Sequence, residues 1–89
     1  MTGNDAVDCP LQSFDVRVDM SDDGVLLVRG LDAFELGAVG AAIWQRCDGH
    51  TPIRDISRAI TAEFDVEEEI AAADVVQLIK DLRSAGLVE

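Results

Sequence analysis

His50 is the only histidine of the chain and the first residue to test for chemistry, because an imidazole can act as a general base or a metal ligand near neutral pH. The sequence supplies no set of Cys or His residues sufficient for a metal site around it. A nucleophile served by His50 would also need an orienting carboxylate, and nothing places one there specifically. We therefore expect His50 to face solvent and the protein not to be an enzyme.

Other residue types that carry chemistry give equally weak patterns. Cys9 and Cys47 are far apart in the sequence, so both are predicted to be reduced thiols, Cys47 as a small core residue. The acidic run 67–69 is predicted to begin a helix, where the helix dipole favours negative charge. Gly37 and Gly40 lack the Gly-Lys or third Gly of a phosphate-binding loop. We expect no cofactor and no metal.

Composition narrows the function classes further. Eighty-nine residues make one domain with a small core, which favours a binding surface over a buried catalytic pocket. The formal net charge of -11 disfavours DNA or RNA as a partner, because affinity for nucleic acid depends on Lys and Arg at phosphates. No apolar run is long enough for a membrane span, and no secretory signal is present, so a cytoplasmic location without membrane contact is predicted.

The elements that must position a binding surface begin with three predicted strands. Residues 1–12 mix Gly, Asn, Asp and Thr with Pro10 without periodicity and are predicted to be a flexible tail. Alternation over 14–20 predicts a half-buried strand, the apolar run 25–28 predicts a central strand, and 31–36 predicts a third strand. Turn residues separate the three, so we expect an antiparallel meander whose first and third strands are edges.

Three helices are predicted to follow. The first covers about 38–47 and ends near Gly49, which suits a left-handed closing position. Thr51 is predicted to cap the second helix, with Pro52 at its first position. The third helix has an apolar stripe formed by Ala71, Val75, Leu78, Ile79 and Leu82. The predicted fold is an α+β winged helix-turn-helix domain over residues 13–89, in which a three-stranded antiparallel meander precedes three helices.

An ordered set of short motifs runs through most of the chain. They are Val25-Leu26-Leu27, Phe34-Glu35-Leu36, Gly40-Ala41-Ala42-Ile43-Trp44, Asp48-Gly49, Thr51-Pro52-Ile53 with Ile56, and Asp74-Val75 with Leu78, Leu82, Gly86 and Leu87. In this order the motifs resemble the PqqD family of peptide chaperones, also called RiPP recognition elements. Leu36-Gly37-Ala38 departs from the family, which often has an Asn cap at this junction.

The resemblance implies a non-catalytic adaptor that captures the leader of a ribosomally made precursor peptide and presents it to a radical-SAM enzyme, a lasso-peptide protease or a cyclase. It also implies that the leader adds to the third strand as an antiparallel strand, opposite the third helix. The matching strand residues are Asp32, Ala33, Phe34, Glu35 and Leu36. On the helix, the stripe beside the core stripe predicts contacts from Ala73, Val76, Gln77, Lys80 and Arg83.

Several of these residues have a second interpretation. Phe34 and Leu36 could belong to the core instead of the groove, and Trp44 is expected to fill the core. Lys80 and Arg83 also suit the negative end of the helix dipole. A winged-helix transcription regulator or a small interaction domain remains an alternative function. A carrier protein does not, because no serine follows an aspartate. A monomer or a weak homodimer formed through a free strand edge is expected.

Overall fold

The computed structural model describes residues 8–89. Three strands precede three helices along the chain: β1 (Arg17–Met20), β2 (Val25–Arg29), β3 (Asp32–Leu36), α1 (Ala38–Gln45), α2 (Ile53–Phe64) and α3 (Glu68–Ser84). The predicted α+β architecture, a meander followed by three helices, is confirmed. Within residues 8–89 no helix has both the length and the apolar character needed to cross a membrane.

The sheet has the order β1-β2-β3, and both of its pairings are antiparallel. β2 is central because its apolar run, which includes the buried Val25 and Leu27, has neighbours on both sides. A two-residue loop joins β2 to β3, and Gly30 at its first position has φ +61°. Glycine adopts this conformation without the steric penalty that a Cβ would bring, so the hairpin is tight.

The first strand differs from its prediction. β1 begins at Arg17, three residues after the predicted start, and Phe14 lies outside the strand with 95% of its surface exposed. Val18 and Met20 share the face of the sheet that carries Leu27 and Val25, yet Met20 is 83% exposed. The prediction of a half-buried strand is therefore wrong, because the buried core reaches β2 and β3 but includes no residue of β1.

The core lies between the sheet and the helices. Trp44 and Cys47 are buried in it, as predicted. The predicted apolar stripe of α3 is also confirmed: four of its residues are buried and Leu78 is half-buried. α2 contributes Ile56 and Ile60, which are both buried, and it packs more extensively against α3 than against α1.

The turn before α2 is organised by a carboxylate. One oxygen of Asp48 accepts the N–H groups of His50 at 2.8 Å and Thr51 at 2.9 Å, and the other accepts the Thr51 hydroxyl at 3.1 Å. Hydrogen bonds to the charged form, first that from the His50 N–H, lower the pKa of Asp48. α2 starts at Ile53 with Pro52 as its N-cap, so the prediction of a Thr51 cap is wrong by one residue.

The described part of the predicted tail is held against the domain. Ile53 donates its N–H to the carbonyl of Asp8, and Gln12 donates to that of Cys47. Leu11 and Glu89 exchange backbone hydrogen bonds at 3.4 and 2.7 Å. Residues 8–13 therefore join the loop after α1 to the C-terminus, while residues 1–7 of the predicted tail lie outside the described residues.

Candidate functional site

The outer edge of β3 carries backbone groups that no other segment uses within residues 8–89. Arg29 and Asp32 close the two-residue hairpin loop, and the closing pair of such a loop is hydrogen-bonded. Hydrogen-bonded and non-bonded pairs alternate along an antiparallel ladder. Phe34 therefore bonds to β2, whereas the N–H and C=O groups of Ala33 and Glu35 point away from it. These two residues offer the free donors and acceptors.

The side chains of β3 divide between two faces. Leu36 is buried and Phe34 is half-buried against the core, so the core interpretation of Leu36 is confirmed and Phe34 lies at the margin of the core. Ala33 and Glu35 are exposed on the opposite face. A strand added beyond β3 would place every second side chain on the face of Phe34 and Leu36. That face is the one that the helices cover.

A groove opens between α1 and α3, beside the end of β3. We call this cavity of ≈ 310 Å³ the α1–α3 groove, and its lining consists of Val39, Gly40, Ile43, Asp74, Gln77, Leu78 and Asp81. Its floor is apolar, through Ile43 and Leu78. Its rim carries the carboxylates Asp74 and Asp81 and, within the described part of the chain, no cation. The amide of Gln77 donates to the Asp81 carboxylate at 2.9 Å, which orients both side chains on the rim.

Two glycines shape the junction of β3 with α1. A Cβ built on Gly24 would overlap the carbonyl oxygen of Leu36, so only glycine permits this approach of the turn before β2 to the end of β3. A Cβ built on Gly40 would lie 3.2 Å from the Cβ of Leu36. Leu36 thus packs directly against the first turns of α1. The α1 wall of the groove is therefore fixed relative to the strand edge.

A second groove lies on the other side of α3, against α2. We call it the α2–α3 groove, and it consists of two adjoining cavities that share Ile53 and Val76. The first, of ≈ 540 Å³, is lined by Asp8, Ile53, Val76, Ile79, Lys80, Arg83 and Ser84. The second, of ≈ 440 Å³, is lined by Ile53, Arg54, Ser57, Arg58, Glu68, Ala72 and Val76.

The structure separates the residues that the sequence grouped on α3. Gln77 lines the α1–α3 groove, whereas Val76, Lys80 and Arg83 line the α2–α3 groove. Ala73 is exposed and lines neither. The two sets lie on opposite sides of the core stripe, so a peptide that enters the α1–α3 groove would meet Gln77 among the predicted helix residues. Contact of the peptide with Ala73, Val76, Lys80 or Arg83 remains a prediction.

Arg83 has a structural role in addition. Its guanidinium holds the Asp8 carboxylate with two hydrogen bonds of 2.7 and 2.6 Å and also donates to the Glu89 carbonyl at 3.3 and 3.2 Å. The hydrogen bonds from Arg83 lower the pKa of Asp8 and raise that of Arg83. Arg83 thereby ties the segment before β1 to the C-terminal end of the chain.

Residues of the α1–α3 groove that the sequence-based prediction missed are Val39, Gly40, Ile43, Asp74, Leu78 and Asp81. The α3 core stripe could have indicated three of them. Asp74, Leu78 and Asp81 lie along one side of that stripe, at spacings of four and three residues. The prediction used the other flank for most of its members.

The chemistry-bearing residues do not form a catalytic set within residues 8–89. His50 is exposed in the turn that Asp48 organises, as expected. Cys47 is completely buried, and desolvation raises its pKa to about 11, so the thiol is protonated at neutral pH. Among the same residues no cluster of three or more His, Cys, Asp or Glu side chains could hold a metal ion.

The fold and the site define an α+β domain of winged-helix type with an open sheet edge above a helical groove. The model of the family described as coenzyme PQQ synthesis protein D (PqqD) matches residues 24–88. The chain therefore belongs to the PqqD family. A comparison with curated proteins gives no significant match.

Solved structures of similar proteins extend over nearly the whole chain. A lasso peptide synthetase B1 complexed with its leader peptide is 27% identical, with a TM-score of 0.77, covering 92% of this chain and 99% of that one. TbiB1 in complex with the TbiA(beta) leader peptide is 28% identical, with a TM-score of 0.77 and coverages of 89% and 94%. The PqqD part of Methylobacterium extorquens PqqCD, a stand-alone RiPP recognition element, is 20% identical, with a TM-score of 0.79 and coverages of 94% and 92%. This last likeness supports the fold.

Proposed function

We propose that this protein binds the leader segment of a ribosomally made precursor peptide as an antiparallel strand along the outer edge of β3. The observation that carries the proposal is the pair of outward-facing residues, Ala33 and Glu35, on a strand whose last residue, Leu36, packs against Gly40 in the wall of the α1–α3 groove. Backbone groups at a free edge supply affinity for an extended peptide, and pockets for alternate side chains supply selectivity. Two similar structures contain bound leader peptides, which supports this choice of ligand.

The groove accounts for which leader side chains matter. A strand paired with Ala33 and Glu35 directs alternate side chains beneath the sheet edge, toward Phe34 and the groove floor at Leu78. Those side chains are apolar in a matching leader, because Ile43 and Leu78 offer no hydrogen-bonding group to them. The intervening side chains face solvent and tolerate variation.

The charge of the site selects further among peptides. Asp74 and Asp81 stand on the groove rim, and Asp32 and Glu35 stand on the strand itself. Opposite charges across an interface favour association and like charges oppose it. The preferred leader therefore has neutral or basic residues beside its apolar anchors. An acidic leader that pairs with Lys80 or Arg83 would have to bind on the other side of α3.

In this function the protein itself catalyses no reaction. It holds the leader and presents the rest of the precursor to an enzyme that modifies or cleaves it, with a radical-SAM enzyme, a leader protease or a cyclase as the candidate partner. A small adaptor can act in this way because tethering raises the effective concentration of the precursor at the enzyme.

A pair of proline variants tests the strand pairing. Glu35→Pro removes an N–H that points away from β2 at the outer edge of β3. Val18→Pro is the matched change at the opposite edge of the sheet, because Val18 forms a non-hydrogen-bonded pair with Leu27 and its N–H also points away from β2. The ligand is the synthetic leader of the precursor encoded beside this protein, measured by calorimetry. We expect a Kd that is micromolar or tighter, weakened about tenfold or more by Glu35→Pro.

Circular dichroism must first show that both variants are folded. Val18→Pro should then bind the leader as the unmodified protein does, because it blocks only the opposite edge. Equal affinities of the unmodified protein and a folded Glu35→Pro variant would contradict pairing along β3. No measurable binding of the leader to the unmodified protein would contradict the function itself.

A further inference from the structure

The α2–α3 groove is a second surface with the properties of a binding site. Val76 is 51% exposed, and it lies where the two cavities meet. The half-buried Ile53 lies beside it, and the buried Ile79 forms part of the floor. The groove therefore has an apolar centre that a partner side chain could cover.

The rim of this groove concentrates the positive charge of an acidic protein. The sequence has seven Lys and Arg residues against eighteen Asp and Glu residues. Four of the seven line the groove, namely Arg54, Arg58, Lys80 and Arg83. Among the described residues, 8–89, only Asp8 and Glu68 contribute carboxylates to the lining. This distribution favours an acidic partner at one place on a surface that otherwise repels one.

Two of these cations are available to a partner. Within residues 8–89, Arg54 and Lys80 form no ion pair, whereas Arg83 is held by Asp8 and Arg58 lies 3.8 Å from Asp55. Arg54 on α2 and Lys80 on α3 stand on different helices, on either side of Val76 and Ile53. An acidic segment lying across the groove can therefore meet both cations while its apolar face covers the centre.

We propose that the α2–α3 groove docks an acidic amphipathic segment of the enzyme that receives the bound peptide. The identity of that partner rests on the proposed leader-binding function; the chemistry of the segment rests on the groove alone. Two apolar side chains, one helical turn apart, cover Val76 and Ile53, and flanking carboxylates pair with Arg54 and Lys80. Because this groove and the α1–α3 groove lie on opposite sides of α3, the leader and the enzyme can be bound together.

The first experiment uses a probe of defined chemistry. A synthetic amphipathic peptide with Leu at spacings of three and four and Glu elsewhere is titrated into the ¹⁵N-labelled full chain, and a peptide with Lys in place of Glu is the matched control. We expect amide shifts centred on Ile53, Val76 and Lys80 with the acidic peptide only, and weaker binding at high salt. Shifts centred on the β3 edge, or equal shifts with both peptides, would overturn the proposal.

The second experiment uses the processing enzyme encoded beside this protein, with and without saturating leader peptide. The double variant Arg54→Glu, Lys80→Glu should bind the enzyme at least tenfold more weakly while its Kd for the leader stays within twofold. The variant Val76→Ser should weaken the enzyme complex by severalfold. Arg17→Glu and Met20→Ser on β1 make the same kinds of substitution, one at a time, away from the groove. Neither should change the Kd of the enzyme complex.

The outcomes separate the two proposals. If the leader binds at β3 and the double variant still binds the enzyme normally, the docking proposal is wrong and leader binding stands. If the leader perturbs Val76 and Lys80 instead, this groove is the peptide site and the docking proposal is again wrong. Saturable binding of a 20-base-pair DNA duplex at Arg54 and Lys80 would also overturn it. If no leader binds anywhere, loss of enzyme binding in the double variant still supports the groove.

Discussion

The two sides of helix α3 differ in the charge that they present. Toward α1, Asp74 and Asp81 flank an apolar floor beside an open strand edge. Toward α2, Lys80 and Arg83 flank an apolar centre formed with Ile53. A helix with one buried stripe has two flanks, and here the flanks have opposite signs. One element can thus separate two partners by charge, since a segment suited to one flank is repelled by the other.

Among the variants that distinguish the two sides of α3, Gly24→Ala is expected to have the largest effect on stability. The new Cβ would overlap the Leu36 carbonyl oxygen and crowd Gly37, so the end of β3 must shift together with the start of α1. We expect a loss of about 1–3 kcal/mol in the free energy of unfolding, as for other overpacked sites, measured by urea denaturation. Amide shifts should concentrate on the α1–α3 groove and spare the α2–α3 groove.

Gly37→Ala is the matched control at the same junction. Gly37 has φ -72° and open space where its Cβ would lie, so alanine fits, and the change at this N-cap should cost less than about 1 kcal/mol. Equal stability of the Gly24→Ala variant and the unmodified protein would show that the junction is looser than the contacts imply.

A smaller effect is expected from reversing one charge on the acidic flank. Asp74→Lys should weaken binding of a basic leader by about fivefold, roughly 1 kcal/mol, and the loss should shrink as salt screens the rim. Glu69→Lys changes the net charge equally but lies seven residues before Val76, on the α2 side of α3. It should change the leader Kd by less than twofold. Equal losses in both variants would indicate a net-charge effect without a defined groove.

The order of strands and helices could be predicted from sequence because each element has its own periodicity and turn residues. The α3 stripe was predicted correctly for the same reason. The sequence could not predict which flank of that stripe faces α1. Gln77 and Val76 both adjoin the stripe, and only tertiary packing places Gln77 beside α1 and Val76 beside α2. The missed site residues Asp74 and Asp81 follow from this ambiguity.

The structure differs from the sequence-based prediction at two further places, β1 and residues 8–13, and each difference has a local cause. Alternation at Val18 and Met20 is typical of a buried strand face, but it cannot tell whether a helix reaches that strand. Among residues 8–89, no helix covers β1. Residues 8–13 have no periodicity, yet backbone hydrogen bonds fix them against Cys47 and Glu89. Such bonds are formed by groups that every residue other than proline carries, so side-chain patterns do not indicate them.

The smallest effect on stability is expected at the ion pair between Asp8 and Arg83, which lies at one end of the α2–α3 groove. Asp8→Asn removes the charge that Arg83 holds, so at pH 7 we expect a loss of about 0.5–1 kcal/mol, limited by solvent screening of this partly exposed pair. Because the folded-state pKa of Asp8 is lowered, its contribution is fully present above the unfolded pKa of about 3.9 and is lost as the pH falls through the folded value.

The melting temperatures of the Asp8→Asn variant and the unmodified protein should therefore differ at pH 7 and converge as the pH falls through the lowered pKa of folded Asp8, below which the aspartate is protonated in both the folded and the unfolded chain. Asp55→Asn, which leaves Arg83 paired, is the control and should show a smaller difference at neutral pH. A difference that persists unchanged in acid would mean that the side chain acts through packing instead of charge. Freed from Asp8, Arg83 should also strengthen binding of the acidic probe peptide, because the groove then presents one more unpaired cation.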